Sequence, residues 1–110
     1  MWKTIPGLAP YEAHPDGRIR NGKTGKVLTP ADNGRGYLAL RIRNKTRRVH
    51  RLIALTFIPC DNPDSYDVDH IDFNKHNNAV TNLRYLPKLQ NAARQAHTRE
   101  ETLRRYFKID

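Results

Sequence analysis

Apolar residues along this chain arrive in short alternating bursts, a pattern that predicts strands more often than helices. The clearest burst spans 36–43. In an extended chain it places Leu38, Leu40 and Ile42 on one face and Tyr37, Ala39, Arg41 and Arg43 on the other. Asn44-Lys45 reads as a turn into a second strand over 46–50, giving a hairpin with an outward row of arginines. Weaker strands are expected over 17–20 and 26–29, separated by Asn21-Gly22 and Gly25, with Ala31-Asp32-Asn33-Gly34 as a further turn. Residues 2–11 form a leading segment punctuated by Pro and Gly, with little periodicity.

The period then changes. Val49, Leu52, Ile53, Leu55, Thr56 and Phe57 have helical spacing, and Pro59 closes the segment, so a short helix is expected over 51–57. A polar loop over 60–67 leads to a short strand at 68–71, a second polar loop at 72–78 and a strand at 82–86. Pro87 suits the first turn of a helix running to about Ala96. Thr98-Arg99-Glu100-Glu101 has the capping-box pattern and opens a last helix through about Phe107. The class is α+β, without internal repeats.

Composition narrows the possibilities. With 110 residues and 37% apolar positions, the chain is expected to form one small domain with a modest core. No apolar run approaches the roughly 20 residues of a membrane span, and MWKTIPGLAP lacks the apolar stretch of a signal peptide. The single Cys60 excludes an intrachain disulfide and a four-cysteine zinc site. The expectation is therefore a cytoplasmic protein with no membrane partner. Charge adds direction. The net +9 is uneven: residues 14–51 hold 11 bases and 2 acids, 59–82 hold 1 base and 5 acids, and 84–108 hold 7 bases and 2 acids. Basic segments flanking an acidic one fit either a polyanion partner with a cation site between, or a solvated basic surface.

Four residues in the strand–loop–strand–helix segment carry candidate chemistry. Asp69 and His70 are adjacent on the first strand, Asn82 begins the second, and Asn91 follows nine residues later in the helix. A ββα hairpin folds such elements around one point. Asp69 and Asn91 offer hard oxygen ligands suited to Mg²⁺ or Mn²⁺. His70 belongs to the residue type that titrates near neutrality and deprotonates water at physiological pH. Asn82 is placed to hydrogen-bond the His70 ring or backbone. One geometric condition applies. Neighbouring strand residues point to opposite faces, so Asp69 and His70 share a site only if the strand twists or ends there.

The joint spacing resembles a known family. Val49-His50-Arg51-Leu52-Ile53-Ala54, Phe57-Ile58-Pro59, Val68-Asp69-His70-Ile71-Asp72, Asn74-Lys75, Asn77-Asn78, Asn82-Leu83-Arg84-Tyr85 and Asn91 together resemble the HNH endonucleases. The likeness is to the small phage and intron-homing members with a His-Asn-Asn motif. Trp2-Lys3-Thr4-Ile5-Pro6-Gly7 and Asp16-Gly17-Arg18-Ile19-Arg20 resemble the module that often precedes the nuclease in that group. The resemblance covers 2–20 and 49–91. It implies a ββα-metal (His-Me finger) core over 49–97, a basic N-terminal β-hairpin module over 1–48 that contacts DNA, and a C-terminal helix over 98–110.

The resemblance further makes His70 the general base, Asp69 and Asn91 ligands of one divalent cation, and Asn82 the residue that orients the histidine. Arg18, Arg20, Arg41, Arg43, Arg47, Arg48, Arg51 and Arg84 are the expected DNA contacts. His50 matches a frequent family residue and is assigned no role beyond packing or phosphate contact. Phe73 departs from the pattern, because relatives often have Gly there. A helix-turn-helix tail of the kind used by long homing enzymes is also not expected. The implied activity is hydrolysis of phosphodiester bonds in double-stranded DNA by a monomer or homodimer, in the host cytoplasm if the source is a phage.

Two other readings compete. One is a non-catalytic DNA-binding module that keeps the scaffold, against which the complete set Asp69, His70, Asn82 and Asn91 argues. The other is an RNA-binding or ribosome-associated protein. Stacking platforms for it are sparse, since Tyr37 is the single aromatic in the strands of the basic half. His14 and His97 read as surface residues, and His76 as an exposed loop residue.

Overall fold

Three small antiparallel sheets surround one short helix in the computed structural model, which describes residues 1–91. The first sheet contains β1 (Lys3–Thr4), β2 (Tyr11–Ala13) and β3 (Ile19–Asn21) in that order. The second contains β4 (Ala31–Asp32), β5 (Leu38–Ile42) and β6 (Lys45–Arg48). Helix α1 (Val49–Phe57) leaves β6 without a loop. A 3₁₀ turn at Pro63–Ser65 leads to β7 (Tyr66–His70), and another at Val80–Asn82 leads to β8 (Leu83–Pro87), its antiparallel partner. A helical turn over 88–91 follows. The rest of the helix expected to about Ala96, the capping box at 98–101, the helix expected through Phe107, and His97 lie outside the described residues. The class is α+β, as the sequence pattern requires.

Several boundaries shift for identifiable reasons. In the β5–β6 hairpin Ile42 pairs with Lys45, so the turn residues are Arg43 and Asn44, not Asn44 and Lys45. Both have positive φ, 53° and 60°, as the favoured two-residue hairpin turns demand, and Asn tolerates that region. The outward arginine row is altered accordingly. Arg43 sits in the turn, Arg47 pairs with Leu40 on the core side, and Arg48 pairs with Ala39 on the side of Arg41. The helix begins at Val49, two residues before the expected start. Its N-cap Arg48 supplies no side-chain cap, so no local signal marked the switch from strand to helix.

The leading segment forms β1 and the first residue of β2, strands too short for alternation to show. Residues 26–29 form no strand: Val27 makes one isolated bridge to Arg20 and is 44% exposed. Ala31 and Asp32 form β4, and the turn moves to 33–36, where Asp32 Oδ1 accepts from the backbone N–H of Gly34 and Gly36. Pro87 ends β8 and does not open the helix.

One buried cluster holds these parts together. Ile5 and Leu8 of the β1–β2 connection and Ala13 and Ile19 of the first sheet join Leu40 and Ile42, then Val49, Leu52, Ile53 and Ala54 of α1, and Val68 and Leu83 of the last hairpin. Burial of a Leu or Ile side chain is worth about 1.5–3 kcal/mol, so α1 is fixed mainly by packing on several sides at once.

Candidate active site

The β7–β8 pairing sets the site. Tyr66 faces Pro87, Val68 faces Tyr85, Asp69 faces Arg84 and His70 faces Leu83. Strand β7 ends at His70, where Phe73 N–H donates to His70 C=O at 2.9 Å and closes a turn. Phe73 has φ +64°, the left-handed region that costs a non-glycine residue roughly 1–2 kcal/mol and that glycine occupies freely. Its departure from the family pattern is therefore a strained backbone position.

Although adjacent, Asp69 and His70 take different neighbours. Asp69 is buried, and Arg84 Nε donates to its Oδ2 at 3.0 Å. His70 packs against His50 of α1 at 4.9 Å between ring centroids, and its Nε2–H donates to Asn78 Oδ1 at 2.8 Å. Both His70 and Asn78 are buried. His50 stacks in turn on Tyr37 at 5.1 Å, with an angle of 21° between ring planes. Burial first, then the charges of His70, Arg48 and Arg51, push the His50 imidazole down to about 3, so it is neutral near pH 7.

Asn82 acts on the loop and not on the ring. Its Oδ1 accepts from Asp72 N–H at 3.0 Å, its Nδ2 donates to Asp72 Oδ1 and Asn77 C=O at 2.9 Å each, and its C=O accepts from Ile71 N–H at 2.8 Å. The ring partner expected at Asn82 is Asn78. Hydrogen bonds from Asn77 and from the Asn74 N–H hold the Asp72 carboxyl below the usual carboxylate range. Asn91, on the turn after β8, donates from Nδ2 to Asp67 Oδ2 at 3.2 Å, while its Oδ1 is buried with no hydrogen-bond partner among the described residues. Asp67 stands two residues before Asp69, on the same side of β7. Asn78, Asp67 and Tyr37 were not legible as site residues. The first resembled an ordinary turn asparagine, but the same-face spacing of Asp67 and Asp69 was an available signal.

An open cleft of about 400 Å³ adjoins these residues, lined by Tyr37, Arg48, His50, Arg51, Asp67, Val68 and Asn91. The expected DNA-contacting arginines divide around it. Arg48 lies 4.8 Å over the Tyr37 ring, and Arg51 Nη1 donates to Tyr66 C=O at 2.8 Å. Arg41 is exposed. Arg18 and Arg20 pair with Asp16 and Glu12, each at 2.7 Å, with their guanidinium groups 5.0 and 4.3 Å from the Trp2 ring. Arg43 donates to Gly7 C=O at 3.0 Å and to Ala9 C=O, and Arg47 to Ile42 C=O at 3.2 Å. Arg84 is bound to Asp69. Among the described residues no three His, Cys, Asp or Glu side chains cluster as a metal site. No helix among the described residues is long and apolar enough to cross a membrane.

Comparison with known proteins places this geometry. Residues 47–93 match the HNH endonuclease family model, and residues 1–43 match the NUMOD4 motif. The chain is 40% identical to the uncharacterised HNH endonuclease L245 of Acanthamoeba polyphaga mimivirus, over 76% of this chain and 26% of that one. It is 35% identical to the DNA endonuclease I-HmuI of Bacillus phage SP01, over 86% of this chain and 56% of that one. It thus spans about a quarter of the first relative and just over half of the second. The solved structure of the HNH homing endonuclease I-HmuI, described for its DNA binding and cleavage, superposes with a TM-score of 0.74 at 30% identity. That match covers 96% of this chain and 66% of that one. Sequence motif, paired strands and helix agree, and the chain belongs to the HNH endonuclease family, with a NUMOD4 motif ahead of its nuclease segment.

Proposed function

We propose that this chain is a metal-dependent endonuclease that hydrolyses phosphodiester bonds of double-stranded DNA, with His70 as general base. The observation that carries the reading is the buried hydrogen bond from His70 Nε2–H to Asn78 Oδ1, 2.8 Å long. A ring whose Nε2 proton is committed to an amide oxygen keeps its lone pair on Nδ1, the form that accepts a proton from an attacking water. Asn82 serves this arrangement indirectly, by fixing the loop that carries Asn78.

Asp69 and Asn91 are the residues that would hold one divalent cation, Mg²⁺ or Mn²⁺. The donor set fits: both are hard oxygen ligands, and among the described residues the buried Asn91 Oδ1 lacks the partner that buried polar atoms normally have. When bound, such a cation supplies positive charge for the scissile phosphate and the leaving oxygen. Within the chain, Arg84 shares the Asp69 carboxylate, so loading competes with that ion pair. Arg41, Arg48 and Arg51 supply backbone contacts, with 1–48 as the DNA-contacting β-unit and 49–97 as the nuclease core. One site per chain nicks one strand, and a homodimer cuts both.

The test is nicking of supercoiled plasmid with Mg²⁺, Mn²⁺ or EDTA. Cleavage with either cation and none in EDTA is expected. His70→Ala should bind DNA normally while losing about 10²–10⁴-fold in rate. DNA binding without cleavage under every metal condition would refute the reading in favour of a non-catalytic module.

A further inference from the structure

The loop between β7 and β8 is held from outside by the N-terminal part of the chain. On one flank, Val80 N–H donates to Pro15 C=O at 2.7 Å. Gly17 lies against the loop at the same place: a methyl group there would sit 3.0 Å from both Asn78 C and O and 3.2 Å from Asn78 Cβ. On the other flank, His76 Nε2 meets Asp32 Oδ2 at 3.0 Å, and Lys75 Nζ donates to Arg35 C=O at 3.2 Å. Asn78, caught between the 15–17 turn and the active site, is the residue bonded to the His70 ring.

We infer that the 15–17 turn is a positioning element for His70, acting through Asn78, so that the N-terminal segment helps assemble the active site as well as contacting DNA. The inference rests on reading His70 as the general base. Gly17 has φ +101°, a conformation that L side chains rarely adopt, and the atoms it approaches are mostly backbone, which no rotamer change can move aside. Any residue larger than Gly therefore requires Asn78 to give by a few tenths of an ångström. A directional bond of 2.8 Å is sensitive to such displacement, and misplacement of a catalytic group by about 1 Å can cost on the order of 10²-fold in rate. A purely structural contact would lower stability while leaving the ring unaffected.

Two variants of the full chain test this. Gly17→Ala pushes on Asn78. Val80→Pro deletes the N–H that bonds Pro15, at the first position of a 3₁₀ turn whose preceding residue, Ala79 (φ −60°, ψ 140°), already suits a following proline. Gly7→Ala is the control, since Gly7 has φ +75° but nothing within 4 Å of an added methyl. Ring ¹⁵N NMR of His70 reports its tautomer without any need for cleavage, and nicking rate and DNA affinity are measured alongside. Both variants should shift the His70 ring signals and lower kcat several-fold at unchanged DNA Kd. Gly7→Ala should change neither. In an Asn78→Ala background, Gly17→Ala should have little further effect on kcat. Unshifted ring signals in both variants, or effects that add fully to Asn78→Ala, would overturn the inference. A wild type that never cleaves would refute the nuclease reading instead, and the NMR comparison would still decide the clamp.

Discussion

Acidification offers a sharp test of how the helix and the last hairpin are packed together. His50 is 4% exposed, between the Tyr37 ring at 5.1 Å and the His70 ring at 4.9 Å, and its pKa is pushed down to about 3. In the unfolded chain an imidazole titrates at about 6.5. Between those values the unfolded state binds a proton that His50 refuses in the fold, so stability rises with pH across the window. The contribution is fully present above about pH 6.5 and is lost progressively as pH falls toward 3. At about 1.4 kcal/mol per pH unit, going from pH 7 to pH 5 traverses roughly 1.5 units of the window and costs about 2 kcal/mol. The assay is urea unfolding at pH 7 and pH 5 for wild type and His50→Phe, which keeps an aromatic ring on Tyr37 but cannot be protonated. Effects of the carboxylates are common to both proteins and cancel in the comparison. The wild type should lose about 2 kcal/mol more than the variant. Equal losses would show that His50 is not buried as a neutral ring.

Asn82→Ala removes three side-chain hydrogen bonds to the Asp72–Asn77 loop and should cost about 2–4 kcal/mol, read as a lowered urea midpoint at unchanged slope. Gly22→Ala should destabilise by ~1–3 kcal/mol in thermal melts, because the new methyl would lie 2.5 Å from Pro10 C=O and 2.7 Å from Glu12 Cδ. Arg41→Ala should reduce the slope of log K for DNA against log[salt] by about 1, without loss of stability. Arg43→Ala should do the reverse, lowering stability with little change in salt slope, since its guanidinium is spent on Gly7 and Ala9 carbonyls.

What the sequence revealed was whatever alternation or spacing encodes locally. The burst at Leu38, Leu40 and Ile42 became β5, and the helical spacing through Phe57 became α1, because each pattern states its own period. Spacing singled out Asp69, His70 and Asn82, but it did not show that they take separate partners: Arg84, Asn78 and the Asp72–Asn77 loop. The turn at Arg43-Asn44 was misplaced by one residue, since an Asn-Lys pair and an Arg-Asn pair are equally polar and only cross-strand pairing separates them. The start of α1 had no cap to mark it. Asn78 escaped for a different reason: its role arises from contacts with His70 and with Gly17, 61 residues away in the sequence, and no local pattern records either.

The shared core has a consequence for how such chains are inherited. Ile5, Leu8, Ala13 and Ile19 are buried in the same cluster as Val49, Leu52 and Ile53. A recombination event that delivered only the segment from residue 47 onward would hand its host a helix with an oily flank open to water, prone to association. One that delivered only residues 1–43 would carry a sheet with nothing to close it. Each segment therefore leaves apolar surface uncovered without the other, and a segment brought in from another chain would have to match the volumes already set on α1.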